Sequence, residues 1–518
     1  MRPQITPHAD RQPLVRASKA FLALAGAAFG LLLITAALGG AAIVLDPRGW
    51  YRALDDQSVL EAASNTAEVV AAVLAIAITV VAIVVELAAT RYSHLITRLF
   101  MREPVNIAVL GLFLVTTIQC VWTAVTFADV QADAVLPHAG FIVTFLLVTA
   151  SLLCLLPYIY FVFTFLSPIS VIERICRNAV GAMRFRGNSL EAAERQVLAA
   201  IDELQDVSRG AIEQGDRSIA MSGINGLTAI VYDYAQIRTS LPESWFEISE
   251  AISRDPDFIA LTDDSVDQVA EDRIWLETKV FRQLYSLMSQ SAGHSRDVAN
   301  LIGINTSLIA QDLGNGNPAL LRLCVRAFNS YLRATINARD ARTAYYLMDQ
   351  YRDVAEYYLS RDDGALAQEI AGYFKLYGQT AHQNGMSFLL DAAAYDVVHL
   401  IEKAVAADSG CVDGLLSVLL ELDQEIKEEY QEDSLLGVRR SQIQLATLFL
   451  KLGDEARVAR IVADLKAERL SRLNRLKQGL EQEGRPQYWE LTDRGANFSY
   501  LDPERRQYLE PLFERLRG

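Results

Sequence analysis

Residues 104–128 read PVNIAVLGLFLVTTIQCVWTAVTFA and contain no Asp, Glu, Lys or Arg. As a helix this run is about 37 Å long, enough for a bilayer core of about 30 Å. Three more runs without a charged side chain lie around it, at 20–45, 69–85 and 134–172. Hydrocarbon leaves backbone groups no water to bond, so only helices or closed barrels span it. These runs lack the period-2 alternation of barrel strands. One such run fits a buried helix of a soluble core, but four within the first third of the chain read as membrane spans. The first could instead be a signal peptide; it is longer than an apolar region of about 7–15 residues, and no small-x-small site precedes Asp46-Pro47.

Basic residues near the ends set orientation. Arg2, Arg11, Arg16 and Lys19 precede span one, Arg91, Arg98 and Arg102 follow span two, and Arg174, Arg177, Arg184 and Arg186 follow span four. The 46–68 loop has more acid than base, and the loop after span three has Asp129 and Asp133 with no Lys or Arg. Both termini are therefore expected in the cytosol. The seven arginines from Arg91 to Arg186 are candidate lipid-facing groups for an anionic inner leaflet, or topology determinants and nothing more.

The chain carries 48 basic and 63 acidic residues, a net charge of −15. Residues 1–167 hold nine basic and ten acidic ones, which leaves −14 on the remainder. That field argues against nucleic acid as a partner. Cys120, Cys154, Cys176, Cys324 and Cys411 are widely spaced with no CxxC, as in a reduced compartment with neither a disulfide frame nor a zinc site.

After a junction at 168–190, helical periodicity dominates. A helix is expected from Leu190 to about Val207, and Ser265 with Gln268 resembles a capping box for a helix running towards Leu287. Helix pairs follow at about 318–337 and 340–359, 365–383 and 387–406, and 434–452 and 454–467. The last has a Leu452-Gly453-Asp454 turn similar to half of a tetratricopeptide unit. This predicts a helical-hairpin array of α-solenoid type, with an irregular helical bundle as the alternative. Pro486, Tyr488, Trp489, Phe498, Tyr500, Pro503 and Tyr508 mark an aromatic-rich C-terminal cap.

Two stretches carry a family resemblance. One runs from Ile83 through Glu86, Leu87, Ala88, Ala89, Thr90, Arg91, Tyr92 and Ser93 to Phe100; the other is Ala220-Met221-Ser222-Gly223-Ile224-Asn225-Gly226-Leu227-Thr228-Ala229. Over roughly 15–240 the chain resembles the domain-of-unknown-function 2254 family of predicted membrane proteins. The second stretch is similar to the family's Ser-Pro-Gly-Ile-Asn-Asp-Pro-x-Thr-Ala, but lacks its Pro and has Gly226-Leu227 in place of Asp-Pro. The resemblance implies membrane topology and a role for a Gly-Ile-Asn turn at Ser222, Gly223, Ile224, Asn225 and Thr228; it implies no known activity.

Thr116, Gln119, Thr123 and Thr126 share one face of span three. A pore would use such a stripe, and so would interhelical hydrogen bonding. Glu86 is an intramembrane charge near the cytosolic end of span two, a functional candidate or a snorkelling carboxylate. Gly26 and Gly30 form a weak close-packing motif in span one. Gly303-Ile304-Asn305 echoes Gly223-Ile224-Asn225; both are expected as turns that cap a helix or bind a ligand. Asp263, Asp264 and Asp267 do not make a calcium loop, because Gln268 stands where Gly is required. Gly314-Asn315-Gly316-Asn317-Pro318 is a turn with no Lys-Ser/Thr after it. No GxSxG, HExxH or nucleophile–base set occurs, so no enzyme, metal or cofactor is expected.

The expectation is an all-α protein: a four-helix transmembrane domain followed by a cytosolic helical-hairpin domain. The segments are an arm at 1–19, a transmembrane domain at 20–172 (spans about 20–45, 69–90, 105–128 and 139–166), a juxtamembrane helical region at 173–310 and a repeat-like domain with its cap at 311–518. Span two is expected to continue as one helix to about Glu103. The function expected is a bacterial inner-membrane scaffold or sensor whose tail docks a cytosolic protein; the alternative is an oligomeric channel or transporter lined by span three. The lipid bilayer and further copies of the chain complete the expected partners.

Overall fold

The computed structural model describes residues 56–91, 103–128, 135–165, 167–184, 189–423, 435–490 and 494–517. Among them there is no strand; one antiparallel bridge joins Gln487 and Ala496. The chain forms two compact units, divided between Asn178 and Ala179.

In the first unit α1 (Asp56–Arg91), α2 (Pro104–Ala128) and α3 (Val135–Phe165) pack against one another. Each contains a stretch long and apolar enough to cross a membrane: Glu68–Glu86, Pro104–Trp122 and Thr144–Phe165. Their large apolar side chains point outward, with Ile76 65%, Ile107 63% and Leu156 76% exposed. In water such a surface would be costly, and in hydrocarbon it is the expected one. The helix α1 begins thirteen residues before span two was expected to start at 69. Span one with its Gly26 and Gly30, and the expected continuation of span two through 92–102, lie outside the described residues. Pro168 opens α4 (Pro168–Met183), where its missing N–H costs nothing.

The second unit begins with α5 (Leu190–Glu213) and α6 (Arg217–Ile237), capped by Ser189 and Asp216. It continues through α7 (Asp263–Asp272), α8 (Trp275–Ser291), α9 (Arg296–Leu313), α10 (Pro318–Asn337), α11 (Ala341–Leu359), α12 (Gly364–Gln383), α13 (Phe388–Ala406) and α14 (Val412–Leu420). The last helices are α15 (Leu436–Leu452), α16 (Glu455–Leu465), α17 (Leu470–Gln482) and α18 (Leu509–Arg517). Side chains of Asn317, Asp340, Asp363 and Asp454 cap α10, α11, α12 and α16, each worth about 1 kcal/mol.

These helices stack in two layers. One is α6, α9, α11, α13 and α15, each packed on the next; the other is α5, α8, α10, α12 and α14. Neighbours within a layer run parallel, and the contacts between α6 and α9 keep one offset along the chain. Arg217 meets Asp297, Asn225 meets Asn305 and Tyr232 meets Asp312, all 80 residues apart. Later offsets are shorter: Ser307 bonds the Gln350 carbonyl across 43 residues, and Arg352 meets Asp396 across 44. The first interval is long because residues 238–274 are inserted between α6 and α8. The helices before residue 310 therefore stack in the same two layers as those after it.

The insertion is fixed from beneath. Lys279 of α8 is buried with its Nζ within 2.7–2.8 Å of Asp202, Asp255 and Asp257, so its burial is matched by three carboxylates. Trp275 Nε1 donates to the Trp245 carbonyl at 2.7 Å. Here the expected capping box at Ser265 is corrected: Thr262 caps α7, and Ser265 lies inside it. Nor does that helix reach Leu287. It stops at Asp272, with Arg273 left-handed at φ 59°, and that break turns Trp275 into the core. Similarly, α5 extends past Val207 to Glu213, because its buried stripe continues through Ala211.

Candidate functional site

The polar stripe of span three lies on α2. Thr116 is fully buried, and its Oγ1 sits 2.8 Å from Ser151 Oγ of α3 while also donating to the Leu112 carbonyl. Gln119 is half-buried. Thr123 and Thr126 are in the same helix, but their side chains lie outside the described residues, as does that of Arg91. Glu86 is exposed at the end of the apolar stretch of α1. Arg98, Arg102 and Arg186 fall outside the described residues. Arg177 and Arg184 are exposed, whereas Arg174 is half-buried with its guanidinium 3.7 Å above the Phe165 ring. Burial, aided by Arg177 and opposed by Glu103, pushes Arg174 down to about 10. Of this group, Arg174 is therefore seated on an aromatic ring of its own unit.

The Gly-Ile-Asn stretch is not a turn. Ser222, Gly223, Ile224, Asn225 and Thr228 all lie inside α6, and Gly303-Ile304-Asn305 inside α9. The glycines serve close approach: a Cβ on Gly223 would lie 2.0 Å from Ser208 Oγ of α5, and one on Gly303 would lie 2.7 Å from Leu347 of α11. The two copies of the motif meet. Asn305 Nδ2 donates to Asn225 Oδ1 at 3.1 Å and to Thr228 Oγ1 at 2.9 Å, the latter bond buried. Packing between helices, with α6 already capped upstream by Asp216, overrides the turn preference of Gly and Asn.

The densest group of charges lies on α11 and α13. Arg352 bonds Asp396 at 2.7 Å and Asp349 at 2.6 Å, and lies 3.1 Å from Glu356. His399 Nε2 is 2.8 Å and Lys403 Nζ 3.5 Å from the same Glu356. Asp396 is completely buried. Burial alone would raise Glu356, but the His399 hydrogen bond, with the charges of His399, Arg352 and Lys403, holds it down at about 2. Asp353 is only half-buried; partial desolvation, with Asp349 and Glu356 beside it and against the pull of Arg352, pushes it up to about 6.

A segment from the C-terminal cap covers this group. Arg494 has a side chain only 1% exposed, 2.9 Å from Asp349, paired with Asp396 through both terminal nitrogens, and 4.5 Å above the Tyr345 ring. Four residues on, Phe498 stacks on Tyr395 at 4.5 Å and on Phe388 at 6.0 Å, and meets Tyr345 edge-on. Gln444 of α15 donates to the carbonyls of Phe498 at 3.1 Å and Tyr500 at 2.8 Å. The segment thus crosses three successive helices of one layer. Sequence reading expected an aromatic cap in this region and missed the seat of Arg494 and Phe498. The signal was present in α11, where Tyr345, Asp349, Arg352 and Glu356 recur at helical spacing.

The arrangement supplies paired charges, aromatic faces and carbonyl-directed amides, which suit recognition of a chain segment. No group of three or more His, Cys, Asp or Glu placed to hold a metal occurs among the described residues. Residues 16–225 match the model of a family described as a predicted membrane protein (DUF2254). No curated protein and no solved structure matches the chain.

Proposed function

We propose, taking the membrane-family match over 16–225 as premise, that this chain is a non-enzymatic inner-membrane scaffold or sensor whose helical unit docks a cytosolic protein. The observation that supports the reading is the parallel stacking of successive helices in two layers, the kind of stacking an α-solenoid uses. Stacked pairs of this type present a long surface formed by one helix from each pair. The layer α6–α9–α11–α13–α15 is that surface, and its charged and aromatic groups gather on α11 and α13. Thr116 bonded to Ser151 supports packing as the task of the polar stripe, a bond worth about 0.6 kcal/mol on average within a membrane.

The test is crosslinking in intact membranes followed by capture of the full chain. The native protein is compared with a variant of reversed surface charge on the other layer, Glu369→Lys, and with Glu356→Lys on the proposed layer. Docking predicts partners lost with Glu356→Lys and kept with the other variant. Identical partner lists for all three would sink it.

A further inference from the structure

We propose that the face built by Tyr345, Asp349, Phe388, Tyr395 and Asp396 is a recognition groove for an extended peptide carrying an arginine and, four residues later, an aromatic ring. Residues 494–498 are its occupant in cis, held where a partner segment of the same chemistry would bind. This assignment rests on the docking reading above and names the partner's chemistry.

Charge is the first argument. Without Arg494 the group holds four carboxylates, Asp349, Asp353, Glu356 and Asp396, facing Arg352 and Lys403 with His399 beside them. That is an acidic excess which one further cation reduces. Asp396 is completely buried, and a carboxylate in that position is costly unless paired and hydrogen-bonded. Arg494 supplies a two-nitrogen clamp, the geometry that favours guanidinium over ammonium.

Shape is the second argument. The Arg494 guanidinium lies against the Tyr345 ring, and the Phe498 ring is received by Tyr395, Phe388 and Tyr345. Phe388 is still 49% exposed with Phe498 in place, so the aromatic platform extends beyond its occupant. The third argument is backbone reading. Gln444 bonds two carbonyls of the segment, those of Phe498 and Tyr500. Contacts to carbonyls accept any sequence, while the arginine and aromatic seats select one. The segment is not helical from 494 to 502, and its bonds to α11, α13 and α15 are made by side chains. Such contacts can be exchanged for equivalent ones from another chain without dismantling a helix.

The experiment uses the detergent-solubilised full chain and a fluorescein-labelled synthetic peptide of residues 485–502. Binding is read by anisotropy for the native protein and for Arg494→Ala/Phe498→Ala. The peptide is expected to bind the double variant about tenfold or more tighter than the native chain, whose groove is filled. A peptide bearing the same two alanines is expected not to bind. Equal weak binding to both proteins would overturn the proposal. Should the double variant fail to fold, hydrogen exchange on the native chain decides: excess peptide is expected to speed exchange of amides 494–500, and no change overturns the groove. Light scattering separates a further outcome: native protomers that dimerise where the double variant stays monomeric would overturn a heterologous partner in favour of a second copy. Peptide binding with no partner lost in the crosslinking test would retain the groove and remove the docking reading; the reverse result would do the opposite.

Discussion

Glu277 shows how one side chain sets a pH dependence. Its carboxylate is 3% exposed, 3.7 Å from Arg238, and burial pushes it up to about 7 against the partial opposition of Arg238. The folded value lies above the ordinary 4.5, so the folded state holds this proton more tightly than the unfolded chain does. Its contribution to stability is therefore fully present below about 4.5 and is lost as pH rises to about 7. Glu277→Gln keeps the shape and removes the titration. The variant is expected to be more stable than the native chain at pH 8 by about 1–3 kcal/mol, with the advantage vanishing near pH 4.5. Urea unfolding of the solubilised protein, followed by the fluorescence of buried Trp245 and Trp275, reads this directly. A variant less stable at pH 8 would show that Arg238 more than offsets the burial of the charge.

Between elements, the contact of α5 with α6 depends on the missing Cβ of Gly223. Ser208 Oγ occupies that space and bonds the Leu204 carbonyl at 2.7 Å. Gly223→Ala raises helix propensity by about 1 kcal/mol, but overpacking of this kind costs about 1–3 kcal/mol. The expected net result is a loss of stability. Adding Ser208→Ala removes the nearest atom and leaves Ser208 Cβ at 3.2 Å, so the double variant should recover most of the loss. Thermal unfolding of the four proteins forms a double-mutant cycle; additivity of the two changes would refute the contact. The breaks at Asn384-Gly385 and Leu452-Gly453-Asp454 were legible because Gly385 and Gly453 adopt φ of 78° and 73° and end their helices. Gly223 and Gly303 have the same residue type in the opposite role. Nothing local distinguishes a glycine that turns the chain from one that admits a neighbouring helix.

At the scale of the molecule, the docking reading requires the helical unit to lie on the cytosolic side. In a cysteine-free background, Asp133→Cys is expected to react with an impermeant maleimide on intact cells. Asp264→Cys, an exposed position at the start of α7, is expected to react only after lysis. The reverse pattern would place the unit outside and exclude a cytosolic partner.

The sequence by itself determined what depends on neighbours along the chain. Charge-free runs gave the membrane helices within the described residues, since transfer into hydrocarbon is set by composition. Helical periodicity and turn residues gave the pairs α10–α11, α12–α13 and α15–α16 to within a few residues. Only the tertiary structure decided the pairings that close across long separations. The offset of 80 between α6 and α9 was hidden by the insertion at 238–274, and the meeting of Asn225 with Asn305 depends on it. Arg494 reaches Asp396 across 98 residues. A buried ion pair is chosen by which surfaces fold together, and no period within either partner's own segment records that choice.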